Sequence, residues 1–313
     1  MATIHSLPVD LILLIAHNLS LKCLLSLYRT SRHIHKLLAP TIQDIALEDK
    51  NGVCALLWAA LYGHEPLVRL VLDKGAASID IQSGSRGTAL HRAAGSGHEG
   101  VVRTLIEKGI DVNIVESVGS TTALHWAALK GHEETVRVLI ESGADVTLQD
   151  AGQETALHWA ARSRQVAVLK MLVDAGADIT AMDEDGNTPL HRAVCAGSRL
   201  AGPGEAVGVL LEWGADIEAK DERGRTPLAC AAEGANEGLV KMLLEKGADI
   251  NTKDNAGQQV LHRAACGGNA TVLKLLVEKG ADGSVMDGCG VKPIEVAKDE
   301  EVKVLMASLG LGE

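Results

Sequence analysis

The heptapeptide TALHWAA occurs twice in this sequence, at residues 122–128 and again at residues 155–161. Three variants share its pattern, namely TALHRAA (88–94), TPLHRAV (188–194) and TPLACAA (226–232). Each begins with threonine, a good helix N-cap, and proline suits the next position because the first helical N–H has no partner to lose. The leucine and alanines that follow give the helix one small apolar face. The pattern therefore predicts a short helix that recurs along the chain.

The recurrence has a fixed period. The fourth position of the pattern falls at Leu57, His91, His125, His158, His191, Ala229, His262 and Glu295, in steps of 34, 34, 33, 33, 38, 33 and 33 residues. A second column, Gly-Ala-Asp or a close variant, starts at Gly75, Gly109, Gly143, Gly176, Gly214, Gly247 and Gly280. Glycine is common just beyond a helix end because it adopts positive φ easily. Two columns in register indicate an internal repeat of paired helices.

Helices of this length are marginal alone, whereas stacked repeats bury a continuous apolar seam. The composition fits thin layers packed with small residues, because the chain has no Phe and only two Tyr. The step of 38 residues adds five residues near Ser198–Gly204, between the paired helices. Glycine and proline there predict a surface bulge.

The heptapeptides, together with the pairs Gly63-His64, Gly97-His98 and Gly131-His132, resemble the ankyrin-repeat signature. The resemblance implies an all-α fold, an ankyrin-repeat solenoid of helix-turn-helix units with hairpin loops. It assigns residues 46–313 to seven units plus a truncated C-terminal unit that contains KPIEVA (292–297). It also implies that the recurring histidines are framework residues that tie adjacent loops together.

Charge and cysteine usage limit the classes of partner and the compartment. The net charge is −11, although residues 1–40 carry four basic residues against Asp10 alone. An acidic body disfavours sequence-independent nucleic-acid binding. Six scattered cysteines favour a reducing compartment over a disulfide framework. The apolar run Leu11–Ala16 is too short to cross a bilayer. We therefore expect an intracellular protein of the cytoplasm or nucleus, without nucleic-acid or membrane partners.

The sequence gives no indication of catalysis. Eight of the twelve histidines fall in two repeat registers, and no cysteine–histidine spacing fits zinc. Neither a phosphate-binding loop nor a nucleophile elbow is found. Asp183, Glu184 and Asp185 are interpreted as a solvated hairpin tip rather than a cation site. We expect a protein that is not an enzyme and has no metal or cofactor.

The implied fold points the residue after each framework position toward the concave face. Together with the residue four positions further on, this column gives a candidate partner-binding strip of Trp58, Tyr62, Arg92, Trp126, Lys130, Trp159, Arg192 and Arg263. Trp and Arg often dominate interface energies. The alternative is that these side chains only cover the inner helices. The hairpin tips form a second candidate contact region, which solvation alone also explains, and its residues are Asp185, Asn187, Glu222, Arg223 and Arg225.

Residues 1–45 do not fit the repeat. LPVDLILLIAHNLSLKCLLSLYRTSRHIHKLL resembles a degenerate F-box, of the form found ahead of ankyrin repeats in many fungal proteins, although the usual late Trp is missing. The resemblance implies a small helical segment that docks on the Skp adaptor of a cullin ubiquitin ligase, through Leu7, Pro8, Leu11, Ile12 and Ile15. The alternative is a helical cap on the first repeat.

Three functions follow from these interpretations. The leading hypothesis is a substrate-recruiting adaptor of a cullin-type ubiquitin ligase, whose repeats hold the target. The second is a scaffold or inhibitor whose N-terminal helices only cap the repeats. The third is an enzyme that encloses a small molecule in a groove lined by Trp and Arg.

Overall fold

The computed structural model describes residues 53–75, 77–82, 87–196, 204–297 and 299–311. Over these ranges the chain forms eight helix pairs. The first helices of the pairs are α1 (Val53–Tyr62), α3 (Ala89–Ser96), α5 (Ala123–Lys130), α7 (Ala156–Ser163), α9 (Pro189–Ala196), α11 (Pro227–Glu233), α13 (Val260–Gly267) and α15 (Pro293–Val296). The second helices are α2 (Glu65–Asp73), α4 (Glu99–Glu107), α6 (Glu133–Glu141), α8 (Val166–Asp174), α10 (Glu205–Glu212), α12 (Glu237–Glu245), α14 (Ala270–Glu278) and α16 (Glu300–Ser308).

The described residues contain no β-strand, and the link between Gln149 and Thr155 is an isolated antiparallel bridge. The fold is therefore all-α, as the sequence predicts. The last pair has the shortest first helix, since α15 has four residues. Of the predicted bulge, Ser198–Gly204, all residues but Gly204 lie outside the described ranges, and Gly204 is the N-cap residue of α10.

The recurring threonine starts the first helix of a pair as expected. Thr88 has extended backbone and α3 begins at the next residue, with His91 at N3 completing a capping box. Thr155 and His158 repeat this arrangement at α7. The other end of the helix is closed by a left-handed residue, Gly97 after α3. The same conformation is adopted by Arg164 after α7, so the register persists where glycine is missing.

The helices pack within two compact units, each of which contains several repeats. The first unit comprises the described residues up to Ala123 together with Arg137–Ala144. In it α1 packs against α3 and α2 packs against α4. Alanines such as Ala93 and Ala94 are fully buried between the inner helices, and Leu105 is buried on the outer helix. Small side chains allow the short helices to approach closely.

The second unit comprises Leu124–Val136 and the described residues from Asp145 onward. Its first helices pack in succession, α7 on α9, α9 on α11, α11 on α13 and α13 on α15. Its second helices do the same from α8 to α10 and from α12 through α14 to α16. Leu157 and Leu169 are fully buried, and so are Leu210 and Leu243. Each repeat thus buries its apolar surface against the next one.

Candidate functional site

The recurring histidines are structural, as the resemblance implies. The backbone N–H of Thr155 donates to Nδ1 of buried His158 at 3.1 Å, so Nε2 carries the proton and donates to the carbonyl of Asn187 in the next repeat, also at 3.1 Å. His91, His191 and His262 make the same two contacts in their own repeats. Burial lowers the pKa of His91, His158 and His191, which favours the neutral form that this bond pattern needs.

Five aspartates hold the hairpins. In each case the Oδ1 atom accepts the backbone N–H groups two and four residues further on, and the residues are Asp150, Asp183, Asp221, Asp254 and Asp287. The side chain of Asp183 is fully buried. The interpretation of Asp183 as solvated is therefore wrong, because the hairpin folds around its carboxylate. Glu184 and Asp185 beside it are exposed.

The second carboxylate oxygen of these aspartates reaches the predicted strip. Trp159 donates from Nε1 to Oδ2 of Asp150 at 3.0 Å. Arg192 donates from Nε to Asp183 at 2.6 Å, and Arg263 donates to Asp254 at 2.9 Å. Three residues of the strip thus hold the hairpin of their own repeat. Each donor lies nine positions after its aspartate. This spacing can be read from the sequence, but it does not by itself show that the two side chains meet.

The sixth repeat departs from this scheme. Cys230 occupies the donor position and cannot reach the hairpin, so Arg225 donates from Nε to Oδ2 of Asp221 at 2.8 Å instead. Arg225 also donates to Glu233 at 2.9 Å, and Glu233 lies 3.7 Å from Nη1 of Arg263. The guanidinium groups of two repeats therefore share one carboxylate.

Trp126 and Trp159 come together on neighbouring inner helices. Their ring centroids are 5.5 Å apart at an interplanar angle of 82°, an edge-to-face arrangement. Trp159 is buried, at 8% exposure, whereas Trp126 is half-buried. The guanidinium carbon of Arg162 lies 5.3 Å from the Trp159 ring centroid, within cation–π range. These three residues form an aromatic cluster with one accessible indole.

A carboxylate joins this cluster to the next repeat. Glu154 lies 3.1 Å from Nη1 of Arg162 and 2.9 Å from Nε of Arg192. Burial raises the pKa of Glu154, while the two guanidinium groups oppose that shift and Asp150 and Asp183 add to it. Sequence reasoning missed Glu154 and Arg162. Neither stands in the column from which the strip was read, and their meeting depends on how the hairpin lies over the helix.

The first unit contains three residues of the predicted strip. The rings of Trp58 and Tyr62 are 4.6 Å apart, and the ring of His64 stacks on Trp58 at 5.0 Å and 5°. Trp58 and Tyr62 are half-buried, and so is Arg92. In this unit the aromatic side chains of the strip therefore cover the end of their own helix pair.

The remaining predicted site residues divide by accessibility. Lys130 is exposed at the end of α5, and Glu222 and Arg223 are exposed at a hairpin tip. The adaptor-binding residues Leu7, Pro8, Leu11, Ile12 and Ile15 lie outside the described residues. In the part of the chain that the structure describes, no group of three or more His, Cys, Asp or Glu side chains is placed to hold a metal ion. No helix of that part could span a bilayer.

Comparisons with known proteins agree with this architecture. The family model described as ankyrin repeats (3 copies) matches residues 19–116, 115–183, 151–221 and 198–287. The comparison with curated protein sequences gives no match. Among solved structures, the human ASB11 ankyrin repeat domain is 30% identical, with a TM-score of 0.63 over 70% of this chain and 96% of that chain. Such repeats are typically non-enzymatic protein–protein interaction modules. The chain belongs to the ankyrin-repeat family.

Proposed function

We propose that the repeats of this chain hold a protein target, and that Trp126 is the anchor. The observation that carries this proposal is the aromatic cluster, in which half-buried Trp126 lies edge-on against buried Trp159. Trp159 is itself fixed by Asp150, so the accessible indole stands on a rigid support. A rigid tryptophan offers a large contact area at a small entropic cost, which is typical of residues that dominate binding.

The surroundings of Trp126 favour a segment that combines an apolar and an acidic side chain. Lys130 is exposed one turn further along α5, and the side chain of Arg162 is 40% exposed over the Trp159 ring. Trp159, Arg192 and Arg263 are engaged by hairpin aspartates. In this proposal those three residues position the surface, and Trp126 and Lys130 touch the target. The protein then binds and does not catalyse.

A matched pair of tryptophan variants tests the anchor. Trp126→Ala should weaken binding of a target captured with the full chain by roughly thirty-fold, equivalent to about 2 kcal/mol. Trp213→Ala is the control, since Trp213 is also half-buried but lies at the end of the outer helix α10. Binding can be measured by calorimetry with the purified target. Unchanged affinity in Trp126→Ala, with normal melting, would remove Trp126 from the site.

The finer proposal is that the protein recruits its target to a cullin-type ubiquitin ligase inside the cell. What supports it is the F-box resemblance of residues 1–45, with Leu7, Pro8, Leu11, Ile12 and Ile15 as the contacts to the Skp adaptor. The alternative is a scaffold or inhibitor in which the same segment caps the first repeat. The two differ in which surface the N-terminal apolar side chains cover.

Purified Skp adaptor separates these two roles. The adaptor function predicts that the full chain binds it, and that Leu11→Asp or deletion of residues 1–45 abolishes binding with little change in melting temperature. A cap predicts no adaptor binding by any form and a large drop in melting temperature on deletion. Absence of binding by the full chain therefore rejects the adaptor role while leaving the Trp126 proposal untouched.

A further inference from the structure

Two thiols of successive repeats lie together on the inner helices. Cys195 is exposed near the end of α9, and Cys230 is buried in α11, which packs directly against α9. The two thiol groups are hydrogen-bonded to each other. Cys195 lies four residues after His191, and Cys230 lies one residue after Ala229, which occupies the framework position of the next repeat.

The contact is built into the registers that the two residues occupy. One repeat further on, Glu233 and Arg263 hold the same two positions, and their Oε1 and Nη1 atoms are 3.7 Å apart. The thiol pair between α9 and α11 and the ion pair between α11 and α13 thus occupy equivalent positions on their helices. The contact between Cys195 and Cys230 therefore uses two positions that also face each other in the next repeat interface.

The surroundings give the two sulfurs different roles. The hydrogen bond from Cys230 lowers the pKa of Cys195 to about 7, and Arg225 and Arg192 act in the same direction. Partial loss of solvent around the sulfur and the charge of Asp221 oppose this shift. The bond to Cys195 and burial both raise the pKa of Cys230. Near neutral pH, Cys195 is therefore the nucleophilic thiolate and Cys230 is the proton donor.

We propose that Cys195 and Cys230 form a thiol oxidation site, which a hydroperoxide converts into an intrachain disulfide. The Cys195 thiolate attacks one peroxide oxygen, the O–O bond breaks, and the second oxygen leaves as an alcohol or as water after it takes up a proton. The resulting sulfenic acid is then attacked by the Cys230 sulfur. The S–S bond forms, and the sulfenic hydroxyl leaves with the Cys230 proton as water. Two thiols are oxidised and one peroxide is reduced.

Peptide mapping of the full chain tests the proposal with hydrogen peroxide as the probe. Trypsin places Cys195 in peptide 193–199 and Cys230 in peptide 226–241. After peroxide treatment and blocking of the remaining thiols, we expect these peptides to be joined, at two hydrogen atoms below their summed mass, and to separate on reduction. The Cys230→Ser variant should instead accumulate sulfenic acid on Cys195, detectable with dimedone.

Cys266 provides the matched control. It occupies the register of Cys195 two repeats further on and is exposed, but Val296 stands where the partner thiol would be. Cys266→Ser should leave the cross-link unchanged. A second test uses the wild-type chain and measures the rate of iodoacetamide labelling as a function of pH. Labelling of Cys195 should reach half its maximal rate near pH 7. The proposal fails if peptides 193–199 and 226–241 are never joined, or if Cys195 and Cys266 label with the same pH profile.

Discussion

Three of the five hairpin aspartates are bound by a donor nine residues later, and the donor is either an indole or a guanidinium. Trp159 serves Asp150, Arg192 serves Asp183 and Arg263 serves Asp254. Both donors are long and planar, so both can leave the helix face and turn toward the hairpin. Trp and Arg are common in protein interfaces, but here they bind the hairpin of their own repeat. Trp126 on the same column is half-buried, so part of its indole is accessible.

Removal of one such aspartate tests its structural role. Asp183→Ala leaves the N–H groups of Asp185 and Asn187 without their buried acceptor and leaves Arg192 with Glu154 as its other close carboxylate. We expect the free energy of unfolding to fall by about 3–5 kcal/mol, as for a broken buried ion pair. Glu184→Ala, one exposed position away, should change it by less than about 0.5 kcal/mol. Urea denaturation measures both, and equal losses would contradict the buried role of Asp183.

The strip shows how far the sequence could predict individual residues. The register of Trp126, Trp159, Arg192 and Arg263 follows from the period, and all four lie on first helices of their pairs as expected. Their contacts do not follow from the period. The bond between Arg192 and Asp183 requires a hairpin that folds back over its helix, and the thiol pair requires contact between two repeats. The first contact joins residues nine positions apart and the second joins residues 35 positions apart, so neither follows from the helix period alone.

At the scale of the element, neighbouring hairpins approach so closely that some of their positions accept only glycine. Gly186 has φ of +74°, and a Cβ placed on it would lie 2.6 Å from the backbone nitrogen of Glu222 in the next hairpin. Gly224 and Gly257 face the following hairpin in the same way, at 2.7 Å from a backbone nitrogen. The helix starts were predictable from Thr and Pro, but this close approach was not, because it depends on the neighbouring repeat.

Two glycine variants separate backbone strain from this contact. Gly176 also has positive φ, of +93°, but a Cβ there meets nothing within 4 Å. Gly176→Ala should therefore cost about 1–2 kcal/mol, the usual penalty for the left-handed region. Gly186→Ala should cost clearly more, since the clash is with backbone atoms that cannot rotate away. Thermal melting of the two variants measures the difference, and equal losses would refute the proposed clash between hairpins.

At the scale of the molecule, the framework histidines make stability depend on pH. His91, His158 and His191 have pKa values lowered by burial, whereas the unfolded chain has the ordinary value of about 6.5. Below that value the unfolded chain binds protons that the folded chain does not. The stability is therefore fully present above about pH 6.5 and is lost as the pH falls toward the folded pKa values. The raised pKa of Glu154 has the opposite effect, because it makes the folded state more stable as the pH falls. It is one such group, whereas three histidines act the other way.

We expect the free energy of unfolding to be lower at pH 5.5 than at pH 7.5. Each histidine contributes up to about 1.4 kcal/mol per pH unit in this window. Urea denaturation at the two pH values measures the change, and His158→Gln should reduce the difference because one of the three groups no longer titrates. The aspartates with lowered pKa values, such as Asp178 and Asp287, act only below about pH 4. Stability that is equal or greater at pH 5.5 would contradict the role of the histidines.

The hairpins of the second unit are also joined to one another. Glu184 donates its N–H to the carbonyl of Gly152, Glu222 to Asp185, Asn255 to Arg223, and Gly288 to Ala256. Each of the three middle tips gives one hydrogen bond to the tip before it and accepts one from the tip after it. A gene duplication or deletion that cuts at equivalent points in two tips therefore preserves this pairing, while a shift of one residue breaks it. Array length can evolve in whole repeats, and shorter insertions are confined to connections outside the tips.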